Sequence, residues 1–266
     1  MMRLIIGIVV AWSTLAGAQT PKLDLRIDRE GWGSASTRDV DVVFRSAAAQ
    51  LLPRFPGIEL PPVRVSAKGG PIVLHRRAED GAVIMRLNTG DTYWSQYAFQ
   101  FSHELCHVLV RYDEDPTGNR WFEESICELA SLYTLRAMGK EWQTNPPCRN
   151  WKEYAGRLTE YAQKRIDEAA LPAGKPLAQW YRENAAELRK NATDRPRNTV
   201  IAAALLPVFE NQPRHWTAVR HLNDARPSQP QTFEAYLRDW SGHVPAEHRP
   251  FVQAVARQFG ITLAEP

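Results

Sequence analysis

His103-Glu104-Leu105-Cys106-His107, followed by Trp121-Phe122-Glu123-Glu124-Ser125-Ile126-Cys127-Glu128, is the stretch on which the reading of this chain turns. On a helix, positions i and i+4 share one face, so His103 and His107 can direct two imidazoles at one metal ion. Glu104 lies about 100° around the helix from His103, beside such an ion rather than on it. That is the position from which a general base takes a proton from a metal-activated water. Ordinary frequencies of His and Glu would produce H-E-x-x-H by accident in roughly one chain in a hundred of this length. The flanking residues Tyr97, Phe99, Phe101, Leu105, Val108 and Leu109 are apolar nearly all round, the pattern of a buried helix. Charged groups enter such a helix only with partners.

The spacing predicts one helix over 93–111 and a second over 120–138, closed by Gly139. Upstream, Ser36 or Thr37 caps a helix that runs to Leu52, with Val40, Val43, Phe44, Ala47 and Leu51 on one face. Pro53 and Pro56-Gly57 end it. Short strands are expected at Val63–Ser66, Pro71–His75 and Ala82–Leu87, with Lys68-Gly69-Gly70 and Ala78-Glu79-Asp80-Gly81 as turns. Downstream, Pro and Gly separate helical stretches near 149–168, 176–190, 197–210, 213–223, 231–241 and 245–259. The fold class is therefore α+β in a single unit. Residues 19–111 form an αβ part with the motif helix, 112–266 form a helical part, and the site lies at their join.

Residues 1–18 read as a secretory signal. Arg3 supplies the positive charge, Leu4 to Leu15 the apolar run and Ala16-Gly17-Ala18 the cleavage site. The apolar run is too short to span a bilayer comfortably, so export to the periplasm or the medium is expected, with no membrane contact after cleavage. A net charge of +3 with no basic run gives nucleic-acid binding no support. There are 3 cysteines, Cys106, Cys127 and Cys148, an odd number that fits one disulfide and one leftover thiol in an oxidising compartment. Cys106–Cys127 would staple the two motif helices together. Cys127–Cys148 is the other pairing.

Two histidines leave a catalytic zinc site short of its third protein ligand. No histidine follows His107 until His215, but Glu124 stands on the second predicted helix. Glu123, its neighbour about 100° around the helix, is the rival ligand; if Glu124 binds the ion, Glu123 is left to border a substrate cleft. In this arrangement the chain resembles the gluzincin metallopeptidases, the group of thermolysin and the aminopeptidase N family. The resemblance covers Ala82 to Gly139. Trp121-Phe122-Glu123-Glu124-Ser125 is similar to their W-L-N-E-G stretch and puts Glu124 in the ligand position. Glu128, one turn on, stands where the thermolysin type carries an acid that orients the first histidine. A carboxylate on a metal-bound imidazole is also physically apt. The resemblance further implies a zincin-like fold in which the strand before the motif helix, Ala82–Asn88, pairs with substrate backbone.

The pattern departs from the family downstream. No tyrosine stands in Asp194-Arg195-Pro196-Arg197-Asn198, where an oxyanion-stabilising tyrosine would be comparable, and no G-x-M-E-N exopeptidase signature is present. The expected protein is thus an exported zinc peptidase acting on a peptide or protein substrate. His103, His107 and Glu124 hold Zn2+, and Glu104 is the general base. Two other readings are a zincin-fold scaffold that cleaves nothing and a zinc hydrolase acting on a bond other than a peptide.

Overall fold

The apolar stretches of the chain close around a small mixed sheet. The computed structural model describes residues 19–264, so the signal sequence expected at 1–18 lies outside the described residues. In chain order the elements are β1 (Leu25–Ile27), α1 (Thr37–Leu51), β2 (Val63–Ser66), β3 (Ile72–Arg77), β4 (Val83–Arg86), α2 (Trp94–Leu109), α3 (Arg120–Trp142), α4 (Ala155–Glu168), α5 (Leu177–Lys190), α6 (Arg195–Asn211), α7 (Phe233–His243) and α8 (Arg249–Gln258). This is the expected α+β class. Ser36 caps α1, its hydroxyl accepting from the Asp39 N–H at 3.1 Å. Arg149–Tyr154 and Pro213–His221 wind as 3-10 turns rather than the expected α-helix.

The sheet order is β1-β2-β4-β3, with β1 and β4 parallel to β2 and β3 antiparallel to β4. β1 was not expected, because three residues are too few to show an alternation. β4 has a neighbour on each side, so its backbone groups are already paired. It cannot pair with substrate as the resemblance implied for Ala82–Asn88. The edges of the sheet are β1 and β3.

The motif helices form the centre of the molecule. Of the residues in α2, only Gln96 is not buried. α3 packs along α2 and also against α1, α4 and α6. Gly139 does not end α3, which runs on to the fully buried Trp142, whose indole N–H donates to Ser46 Oγ at 2.7 Å. A Cβ on Gly139 would stand 2.3 Å from Thr159 Oγ1 and 3.1 Å from the Ala155 carbonyl. The glycine there admits α4 at close range; it is not a cap. At the other end of α3, Trp121 is buried against Tyr181, Phe233 and Phe259. Truncating an anchor of this size typically costs about 3–5 kcal/mol, so the turn that carries Glu124 starts from a fixed point. One core runs from Trp32 to Leu263. Among the described residues, no helix is long and apolar enough to cross a membrane.

Candidate metal centre

α2 and α3 bring His103, His107 and Glu124 together in the interior, with one donor atom from each lying within 4.8 Å of the others. Nε2 of His103 is 3.3 Å from Glu124 Oε2, and Nε2 of His107 is 3.6 Å from the same oxygen. Donors bound tetrahedrally to zinc at about 2.1 Å stand about 3.4 Å from one another, so these spacings match a zinc ligand set. The two rings are set edge to face, at 67° with centroids 5.0 Å apart, rather than stacked.

Each imidazole turns its other nitrogen to a different carboxylate. His107 Nδ1 lies 2.7 Å from Glu123 Oε1, and His103 Nδ1 lies 3.5 Å from Glu128 Oε2. Those carboxylates are held in turn. Glu123 Oε2 accepts from the Asn223 amide at 2.8 Å, and Glu128 Oε1 accepts from the Thr199 hydroxyl at 2.9 Å. Metal-binding histidines are usually oriented this way, with the outer N–H fixed by a carboxylate. Glu128 thus stands where it was expected. Glu123 does not border a cleft: it is 4% exposed and holds His107. Its role depends on which way the His107 ring turns, and helical periodicity does not show that. Neither Asn223 nor Thr199 carried any sequence signal, since each acts through a contact far away along the chain.

A second group, His107, Glu123 and Cys127, also brings one donor atom from each within 4.8 Å of the others. There the imidazole and the carboxylate are joined by a 2.7 Å hydrogen bond, much closer than the 3.3 Å between His103 and Glu124. The Nε2 side, by contrast, has two imidazole nitrogens meeting an oxygen. The first group is the better cation site.

Charge points the same way. Glu104, Glu123, Glu124 and Glu128 are all buried within this small volume, and the two histidines, with Arg120 3.5 Å from Glu124 Oε1, balance only part of their charge. A divalent cation would offset the remainder. Burial lowers the His103 pKa, but its contacts with Glu124 and Glu128 outweigh that and push it up to about 9. His107 is raised well above its ordinary value against the same burial, chiefly by Glu123 and Glu124. Glu124, despite burial, is held far below the usual carboxylate range by the two imidazoles. Without metal, both histidines therefore carry protons at neutral pH and must shed them to ligate. Zinc uptake at pH 7 should release about two protons, and affinity should fall as pH falls. Calorimetry in buffers of differing ionisation heat checks this; an absence of proton release would show that the imidazoles are already neutral before the metal binds.

Glu104 is 3% exposed, and among the described residues no side chain hydrogen-bonds to its carboxylate. Its charge helps raise His103, which puts it beside the cluster with its oxygens unclaimed. Tyr112 closes one side, with its ring 6.2 Å from that of His107 and its hydroxyl donating to the Leu74 carbonyl of β3. Arg197 is tied to Asp194 and to Asn184 Oδ1, and Arg195 lines a cavity of about 640 Å³ with Arg165 and Thr199. Neither arginine makes an ion pair with a residue of the cluster.

The expected Cys106–Cys127 disulfide is not formed, and all three cysteines are free thiols. Cys106 and Cys127 are both buried where α2 meets α3, and Cys148 is exposed, which also separates Cys127 from Cys148. Burial, with Cys106 as hydrogen-bond partner, pushes the Cys127 thiol well up. That withholds the thiolate on which disulfide chemistry depends.

No protein family, curated protein or solved structure matches this chain.

Proposed function

We propose that this protein is an exported zinc-dependent peptidase of zincin-like fold. The observation that carries the reading is the paired geometry of the two imidazoles: each Nε2 meets Glu124, while each Nδ1 faces a separate carboxylate. In this reading His103, His107 and Glu124 hold the ion, and Glu123 and Glu128 orient the rings. Zinc, when bound there, would lower the pKa of a coordinated water towards ~7 and polarise a carbonyl. Glu104 takes the proton of the attacking water on its carboxylate and delivers it to the departing amine. Burial keeps bulk water from competing for that proton. The open edge of β3, beside Tyr112, can receive an extended peptide by strand addition.

The test is to incubate zinc-loaded protein with a peptide library and read cleavage by mass spectrometry. Cleavage abolished by a chelator and restored by zinc supports the reading. Bound zinc with no cleavage on a broad library favours a scaffold instead. One observation leans that way: Arg197, in the segment where the resemblance would place an oxyanion-stabilising tyrosine, is already engaged with Asp194.

A further inference from the structure

A second hollow lies one aromatic ring away from the metal centre. It has a volume of about 380 Å³ and is walled by four arginines, Arg77, Arg111, Arg220 and Arg226, together with His75 and Tyr112. Tyr112 connects the two places: its ring is 6.2 Å from that of His107 and 5.4 Å from that of His75. Only Glu59 and Asp113 line the same hollow with negative charge. Arg111 reaches Asp224 at 3.2 Å, but among the described residues no carboxylate lies within ion-pair distance of Arg77, Arg220 or Arg226. The four come from three separate parts of the chain, namely the end of β3, the segment after α2 and the segment from 213 to 227. Arg220 donates to the Leu109 carbonyl at 2.9 Å and so caps α2, but among the described residues no such local bond brings Arg77 and Arg226 to the same hollow.

Backbone conformation gives an independent sign. Among the described residues, three that are not glycine have positive φ: Asp91, Arg111 at 56° and Arg226 at 45°. Both arginines line this hollow. Arg111 follows the C-terminus of α2 in a Schellman turn, where the Tyr112 N–H donates to the His107 carbonyl at 3.0 Å. Glycine is the usual residue at that position, and a larger one is strained there. A chain that sets long cations against local preference, facing a cavity rich in like charge, is giving up stability for something other than the fold.

We infer that this hollow is an anion subsite that binds a carboxylate of the peptide substrate, and so selects acidic substrates at the metal centre. The planar guanidinium fork suits a carboxylate in bidentate contact. With one aromatic ring between hollow and ligand, the anionic group falls about one or two residues from the bond to be cleaved, at ~3.5 Å per residue. An acidic side chain and a free C-terminus offer the same chemistry, and the test separates them. This inference rests on the peptidase reading for its substrate class.

The experiment measures binding to the mature chain by calorimetry, with zinc and with chelator. The probes are an N-acetylated, C-amidated alanine peptide with one internal Glu, its Gln counterpart, and the all-alanine peptide with a free or an amidated C-terminus. A carboxylate-bearing probe should bind at least tenfold more tightly than its amide. Added salt should narrow the difference. Arg226→Gln and Arg111→Gly should each remove most of that preference, and the melting temperature of Arg111→Gly should hold or rise because glycine relieves the turn. A preference for the internal Glu assigns the side chain as the source, and a preference for the free terminus assigns the C-terminus. Equal binding of acid and amide in the wild type overturns the subsite, and so does a preference that survives both variants. A preference that persists in a protein with no affinity for zinc leaves the subsite standing and removes the peptidase reading alone.

Discussion

Glu104→Gln should keep the fold and the metal while peptide cleavage falls by about 10²–10⁴. Glutamine has nearly the shape of glutamate, and no described side chain hydrogen-bonds to the Glu104 carboxylate, so little structure depends on its charge. Its loss removes the acceptor for the water proton, while the donors of His103, His107 and Glu124 remain. The comparison is made at matched zinc content, by initial rates on one peptide, with a chelator control against contaminating protease. Full activity in Glu104→Gln would place the base elsewhere. Loss of zinc in this variant would make Glu104 a ligand instead.

Glu124→Ala should abolish stoichiometric zinc, whereas Glu123→Ala should weaken binding by about 10–100-fold, the usual effect of removing a carboxylate that orients a histidine ligand. Glu124 supplies the one oxygen that both Nε2 atoms approach, at 3.3 and 3.6 Å. Glu123 touches only the far side of the His107 ring. Glu128→Ala should resemble Glu123→Ala, acting through His103. Competitive titration against a chelator of known affinity, read by native mass spectrometry, ranks the three. A reversed order, with Glu123 indispensable and Glu124 expendable, would transfer the site to the His107, Glu123 and Cys127 group. Because Glu123 and Glu124 are buried charges in opposition to imidazoles, each variant also needs its fold checked by circular dichroism without metal.

The acids at 124 and 128 were singled out by the resemblance to the gluzincin motif, whereas the i, i+4 histidines and the glutamate between them were legible in the chain because they depend on the period of a single helix. The α+β class, α1 and three of the four strands followed from the same kind of local pattern. What one helix presents to another was not legible. Glu123 and Glu124 are neighbours in sequence, and only the packing of α3 on α2 sets one against Nδ1 and the other against Nε2. Their supports come from far along the chain, with Asn223 100 positions from Glu123 and Thr199 71 from Glu128. Gly139 read as a stop because glycine often caps helices, yet the close approach of Thr159 explains it. The position of β4 inside the sheet, the reduced state of Cys106 and Cys127, and the gathering of Arg77, Arg111, Arg220 and Arg226 were decided by tertiary structure as well. Periodicity tells which side of an element is apolar. Which atom meets which across a core is set by the relative placement of elements, and that depends on all the surfaces they bury together.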